Sequence, residues 1–163
     1  MMDGEEHERL RGVAETLSPF SSALGIRTVS FARDEVVAEM PVEAWLGNRN
    51  GVLHGGALMS FADNLCGTAT LLNLPEGQGT VTLESKTNFL RPIRIGDTAR
   101  GVVTPYHRGR KTMIWEVKIF RGDGKLAAVV SQTQLVLEWQ EGGEGGDGVR
   151  ETQVVQEMQG VQE

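Results

Sequence analysis

The sequence predicts an α+β fold in which one long central helix covers one face of an antiparallel β-sheet, and three observations carry that expectation. Between Gly55 and Leu74 the only charged side chain is Asp63. A helix lying on a surface shows a charged face opposite its apolar stripe, so this one is expected to be buried on nearly all sides. After Gly79 come four runs with strand character, Thr80 to Leu90, Thr98 to His107, Thr112 to Phe120 and Leu126 to Trp139. The turns between them are short, which implies antiparallel neighbours in succession. Within Met113 to Ile119, Trp115, Val117 and Ile119 alternate with Glu116 and Lys118, so one face of the sheet needs cover and the helix supplies it.

With 163 residues, 39% of them hydrophobic and 23% charged, the chain has the composition of a soluble globular protein large enough to bury one core. A net charge of −6 argues against a broad nucleic-acid surface, which would gather excess Lys and Arg. The single cysteine, Cys66, cannot form an internal disulfide. The opening Met-Met-Asp-Gly-Glu-Glu-His-Glu lacks the basic and apolar regions of a signal peptide, and the cytoplasm is the expected compartment. The run from Val52 to Leu74 is long enough to span a bilayer, but His54, Ser60, Asp63, Asn64, Thr68 and Asn73 interrupt it, so no membrane partner is expected.

In chain order, residues 1–23 read as an N-terminal helical segment. Leu10, Val13, Ala14 and Leu17 recur at helical spacing until Ser18-Pro19 stops the pattern. This helix is expected to serve as a lid or a packing element. A hairpin follows from Leu24 to Val42 around Arg33-Asp34-Glu35, and the loop Gly47 to Gly51 leads into the central helix, which Leu74-Pro75-Glu76-Gly77 ends. The domain is expected to close at residue 139. Residues 140–163, opening on Glu-Gly-Gly-Glu-Gly-Gly-Asp-Gly, read as a flexible acidic tail with at most a frayed helix.

The chemistry concentrates on the central helix. Leu58, Phe61, Ala62, Leu65, Ala69 and Leu72 form one stripe, Ser60, Asn64 and Gly67 lie opposite, and Asp63 falls at the margin. A carboxylate there loses hydration, a cost seldom kept without a function. Gly55 and Gly56 have no Cβ, so a ligand can come close to their N–H groups. These belong to the first turn, where amides lack helical partners and the dipole is positive, which makes an oxyanion site. A carboxylate two turns into a helix together with such amides suits hydrolysis of an activated acyl group. Cys66, in an apolar setting without a basic partner, reads as packing. His7, His54 and His107 have no ligand spacing, and no metal is expected.

The spacing Asn48, then His54-Gly55-Gly56, then Asp63, with Phe89-Leu90-Arg91-Pro92, Gly96-Asp97 and Gly109-Arg110, resembles the hotdog-fold acyl-CoA thioesterases. The similar branch is the PaaI-like, phenylacetate-pathway one of the 4-hydroxybenzoyl-CoA thioesterase superfamily, over about Leu24 to Leu137. The resemblance implies a long helix wrapped by an antiparallel sheet, a homodimer joined edge to edge through its sheets, with a homotetramer as a dimer of dimers left open beside it, and active sites at the dimer interface. It also implies Asp63 as nucleophile or general base, and the Gly56 amide, from the partner subunit, as donor to the thioester carbonyl. Asn48 would hold the attacking water or orient the substrate, Thr82 would assist, and Arg91, Arg110 and Lys111 would meet the CoA phosphates. No cofactor is implied, because CoA is part of the substrate.

Plainer readings stand beside these. Asp63 as a structural carboxylate, His54 as a residue that fixes the loop instead of touching substrate as a member of the catalytic set, Asn48 (or Asn50) as turn chemistry, Thr82 as an ordinary strand residue, and Arg108, Arg110 and Lys111 as a solvated turn all fit the sequence. At the level of function the rivals are a hotdog hydratase, disfavoured because no histidine accompanies Asp63 on the helix, and a non-enzymatic acyl-CoA-binding module or sensor. The acyl group is open between aromatic and medium-chain acids, with Phe61, Met59, Leu72 and the N-terminal segment expected to shape its pocket.

Overall fold

The computed structural model describes residues 4–138 of the chain; Trp139 and the expected acidic tail at 140–163 lie outside the described residues. Helices α1 (Gly4–Glu15) and α2 (Pro19–Ala23) precede strands β1 (Arg27–Phe31) and β2 (Val36–Pro41). A short 3-10 turn (Ala44–Leu46) leads to the long helix α3 (Gly55–Leu71), and strands β3 (Gln78–Phe89), β4 (Thr98–Arg108), β5 (Thr112–Phe120) and β6 (Leu126–Glu138) follow. The strands form one six-stranded antiparallel sheet in the order β1-β2-β4-β5-β6-β3. Its concave face wraps α3, which is the hotdog arrangement.

Each element has a local cause. In β5, Met113, Trp115, Val117 and Ile119 are buried while Glu116 and Lys118 point outward, as the period of two requires. Leu58, Phe61, Ala62, Leu65, Cys66, Ala69 and Leu72 of the α3 stretch fill the groove above them. Trp115 donates its indole N–H to Thr70 Oγ1 at 2.8 Å, so the largest core side chain has its polar atom satisfied. Gly101 of β4 lies directly under α3, where a Cβ would stand 2.3 Å from Leu65 Cδ1 and 3.1 Å from the Phe61 ring. That glycine sets how closely helix and sheet approach.

Three expectations are corrected. Of the four later strands β4, β5 and β6 are antiparallel neighbours in succession as expected, but β3 is not next to β4: it pairs with β6 at the sheet edge, while β4 pairs with β2. Three strand spacings, about 14 Å, separate β3 from β4, and residues 90–97 are long enough to cross them. They pass under the start of α3 with Ile93 buried and its carbonyl accepting from the Leu53 N–H at 2.8 Å. Ser18-Pro19, expected only to stop a helix, starts one. Ser18 Oγ accepts from the Ser21 N–H at 3.2 Å, and Pro19 stands where its missing N–H costs nothing. Finally, α3 is not buried on all sides in the single chain, since Met59, Asp63 and Leu71 are exposed on one flank.

Helix α1 is a packing element. Leu10 and Ala14 are fully buried, Thr28 Oγ1 donates to the Ala14 carbonyl at 2.7 Å, and Glu6 pairs with Arg33 at 2.5 Å. The side chains of Arg33 and Arg9 hold the Glu6 carboxyl below its ordinary range.

The start of α3 is fixed by His54, the N-cap residue, whose Nδ1 accepts the Gly56 N–H at 2.9 Å. A ring nitrogen here takes the place of the usual cap oxygen.

Two outcomes test this architecture. Gly101→Ala should lower unfolding free energy by about 1–3 kcal/mol in urea titration, through overpacking against Leu65 and Phe61. His54→Ala should cost about 1 kcal/mol by loss of the cap, and His54→Asn, which can cap through its side-chain oxygen, should recover most of it.

Candidate active site

Asp63 stands on the exposed flank of α3, where that helix meets the inner faces of β3 and β6. Its Oδ1 accepts the hydroxyl of Thr82 at 2.7 Å and the amide of Gln132 at 2.5 Å. Gln132 Nε2 also lies 2.9 Å from Thr82 Oγ1, and Gln134 Nε2 donates to the same oxygen at 2.9 Å. Behind them Thr80 Oγ1 donates to Gln134 Oε1 at 2.8 Å and Ser85 Oγ to Gln132 Oε1 at 3.3 Å. Both glutamines are buried, at 0% and 1% exposure, so their amides have only this network to satisfy them.

A β-bulge makes the network possible. The register of β3 against β6 shifts between Thr82 and Glu84. Before the shift Thr80 and Thr82 face the helix, and after it Ser85 and Thr87 do, because one extra residue reverses the alternation. Neither glutamine was singled out from the sequence. The available signal was their position two apart in the alternation of β6, continuing the inward face of Val130.

The other expected site residues fall in several places. The first-turn amides of α3 lie at its N-terminal end, and about 10 Å of helix rise separates Gly56 from Asp63. The Gly56 N–H, expected to point at a substrate carbonyl, is directed instead at His54 Nδ1, whereas the amides of Gly55 and Ala57 take no partner among the described residues. The ring of Phe89 covers Gly55, where a Cβ would meet its Cζ at 3.2 Å. Asn48 turns its side-chain oxygen onto its own loop, accepting from the N–H groups of Asn50 at 2.8 Å and Val52 at 3.4 Å.

The three basic residues expected at one phosphate site are separated. Arg91 follows β3 beside the start of α3 and donates to the Leu126 carbonyl at 2.8 Å. Arg110 and Lys111 lie in the β4–β5 turn beside the other end of the helix, where Arg108 reaches Asn73 Oδ1 at 3.2 Å. The length of α3, about 25 Å, lies between the two groups. Exposed Arg49 and Arg94 are nearer to Arg91, Arg94 being bridged to Val52 just before His54.

A cleft of about 540 Å³ opens beside Asp63, walled by α1, α2 and α3, with Val13, Phe20, Met59 and Leu71 giving it apolar surface. Met59 and the N-terminal segment line it as expected, but Phe61 and Leu72 do not. Both are fully buried on the core side of the helix. Gly67, one turn beyond Asp63, also borders the cleft, and a Cβ there would meet nothing. Cys66 points into the core, and burial first and the Asp63 charge second push its thiol upward, so it stays protonated. Among the described residues no group of three or more His, Cys, Asp or Glu side chains is placed to hold a metal ion, and no helix is long and apolar enough to cross a membrane.

Comparison with known proteins shows the family of this fold. The family described as the thioesterase superfamily matches residues 50–128. The 1,4-dihydroxy-2-naphthoyl-CoA hydrolase of Escherichia coli is 33% identical over 114 residues, 70% of this chain and 83% of that protein. A thioesterase structure from Haemophilus influenzae superposes with a TM-score of 0.74 at 33% identity, covering 81% of this chain and 92% of that one. The Escherichia coli PaaI protein from the phenylacetic acid degradation operon gives a TM-score of 0.72 at 25% identity, covering 85% and 96%. With its hotdog fold and a relative of this identity matched over most of its length, the chain belongs to the thioesterase superfamily.

Proposed function

We propose that the protein hydrolyses an acyl-CoA thioester to the free acid and CoA, with Asp63 as its catalytic carboxylate and the first-turn amides of a second copy's α3 as the oxyanion donors. The observation that carries this reading is the Asp63 carboxylate itself, anchored through one oxygen at the mouth of an apolar cleft. A thioester needs no further activation, since thiolate is a good leaving group. The enzyme has to place water or the carboxylate against the carbonyl and stabilise the oxygen that becomes negative. As general base, Asp63 takes a proton from water while the new C–O bond forms. The tetrahedral oxyanion then collapses, the C–S bond breaks, and the departing thiolate takes up the proton. As nucleophile, Asp63 attacks the carbonyl, the C–S bond breaks with departure of the CoA thiolate, and water then hydrolyses the mixed anhydride to the free acid and the Asp63 carboxylate, its proton going to the thiolate. Either route calls for the same donors, and no metal or cofactor is needed.

Distance supports a shared site. Donors must lie about 3 Å from the carbonyl oxygen, and the amides at the start of the same helix lie about 10 Å from Asp63 along its axis. A second copy brings its own helix start within reach if the chains meet along β3. That strand lies at the sheet edge, and Leu83, Phe89 and Leu90 in and just beyond it are 37%, 55% and 51% exposed. A long edge strand leaves unpaired N–H and C=O groups that a partner strand can pair with. The Gly56 N–H serves in this arrangement as a three-centre donor, shared between the substrate oxygen and His54 Nδ1, alongside the Gly55 amide. The acyl group occupies the cleft beside Asp63, and Arg91, with Arg49 and Arg94 near it, is the basic group on the side of the helix start. The CoA in the Escherichia coli hydrolase's name supports CoA as the carrier here.

Thiol release from a panel of acyl-CoA esters tests this. Asp63→Asn should lower kcat by about 10²–10⁴-fold, the range for loss of a general base. A wild-type protein that binds the esters and frees no thiol would instead be a binding module. Dilution to the monomer, followed by light scattering, should remove the activity; an active monomer would rule out the shared site.

A further inference from the structure

We infer that Gln132 and Gln134 are positioning residues that lock Asp63 through Oδ1 and leave Oδ2 as the oxygen that reacts. The inference rests on the reading of Asp63 as the catalytic carboxylate.

The hydrogen bonds run in one direction. Thr82 Oγ1 receives an N–H from Gln132 at 2.9 Å and another from Gln134 at 2.9 Å. Its lone pairs are thereby occupied, and its single proton goes to Asp63 Oδ1 at 2.7 Å. Gln132 adds its own N–H to the same oxygen at 2.5 Å. The Gln132 amide is oriented from behind by Ser85 Oγ, which donates to its Oε1, while Thr80 Oγ1 lies within donating distance of both Gln134 Oε1 and the Leu135 carbonyl. Turning over Gln132 would set its carbonyl oxygen against the carboxylate. Every donor thus converges on Oδ1, and Oδ2 has no partner among the described residues.

Nothing on α3 itself does this work. Ser60 Oγ, one turn earlier, donates to the Gly56 carbonyl at 2.9 Å, and Gly67, one turn later, has no side chain. The support comes wholly from strands β3 and β6. It follows that Thr82 acts through Asp63 rather than on the substrate.

The test uses the full chain with benzoyl-CoA and octanoyl-CoA, following thiol release by Gln132→Met and Gln134→Met in both the wild-type and the Asp63→Asn backgrounds. Methionine keeps the volume and removes the donor. Gln132→Met should lower kcat about tenfold or more with KM changed less than about twofold, and should cause no further loss once Asp63 is already asparagine, because residues acting as one unit are non-additive. An equal loss in both backgrounds, or none in the wild type, would overturn the inference. If Asp63→Asn is as active as wild type, the proposed hydrolysis by Asp63 fails instead, and is recognised separately. Should Gln132→Met not fold, Thr82→Val and Thr82→Ser serve: the valine variant should show the same loss and the serine variant should recover most of it. Equal activity of the two would overturn the inference. A crystal structure of a glutamine variant reads the geometry without turnover. Asp63 should leave Thr82, with its oxygens beyond about 3.5 Å from Oγ1, and an unmoved Asp63 would contradict the positioning role.

Discussion

The structure depends on how a carboxylate is kept on a helix that carries no other charge. A cationic partner would hold it, but an ion pair engages the charge that a base or nucleophile needs. Asp63 is held by neutral donors, one hydroxyl and one primary amide, and among the described residues it enters no salt bridge. Neutral donors fix the geometry without supplying a countercharge. Their own cost is desolvation, and it is met because the buried amides of Gln132 and Gln134 find partners in Thr80, Thr82 and Ser85 as well as in Asp63. The inner face of the sheet is accordingly divided. Trp115, Val117 and Ile119 make an apolar bed under one flank of α3, and the β6–β3 pair makes a polar strip under the other.

That strip is a product of topology. Thr82 stands opposite Gln134 only because β3 docks on β6, and it does so only because residues 90–97 cross under the helix rather than turn back at once. The bulge after Thr82 then keeps a second pair of hydroxyl residues, Ser85 and Thr87, on the helix side. An unbroken alternation would have turned Ser85 outward, away from Gln132, because it would share a face with Leu83. One inserted residue thus lets donors on two successive parts of the strand serve the two glutamines.

Much of this was legible in the sequence, and the omissions have physical reasons. The buried stripe of α3 and the inward face of β5 follow from periods of 3.6 and 2, which depend only on local geometry. The isolation of Asp63 was visible as an absence of other charges. Strand order was not visible, since a connection such as 90–97 is long enough either to loop back or to cross, and only the burial of Ile93 distinguishes the two. Gln132 and Gln134 were passed over because glutamine in a strand ordinarily faces water; their inward position becomes informative once something across the core is seen to need a donor. Arg91, Arg110 and Lys111 looked alike as basic turn residues. Their separation along α3 is a tertiary fact that turn chemistry does not encode.

His54-Gly55-Gly56 joins two demands at one helix start. The cap bond requires His54 Nδ1 to be an acceptor, so in this arrangement the ring carries its proton on Nε2. The Cβ-free Gly56 leaves space for that ring, since a Cβ would stand 3.1 Å from Nδ1. The first glycine answers to Phe89, whose ring lies where a larger side chain would go. The pair of glycines therefore has a structural reason within a single chain, before any substrate is considered: it lets an imidazole close the helix end and an aromatic ring cover it. What remains open at that end are the amides of Gly55 and Ala57, with the positive pole of the helix behind them. In the proposed hydrolysis a carbonyl oxygen meets the Gly55 amide and the Gly56 amide at this end, the second already oriented by its bond to His54 Nδ1.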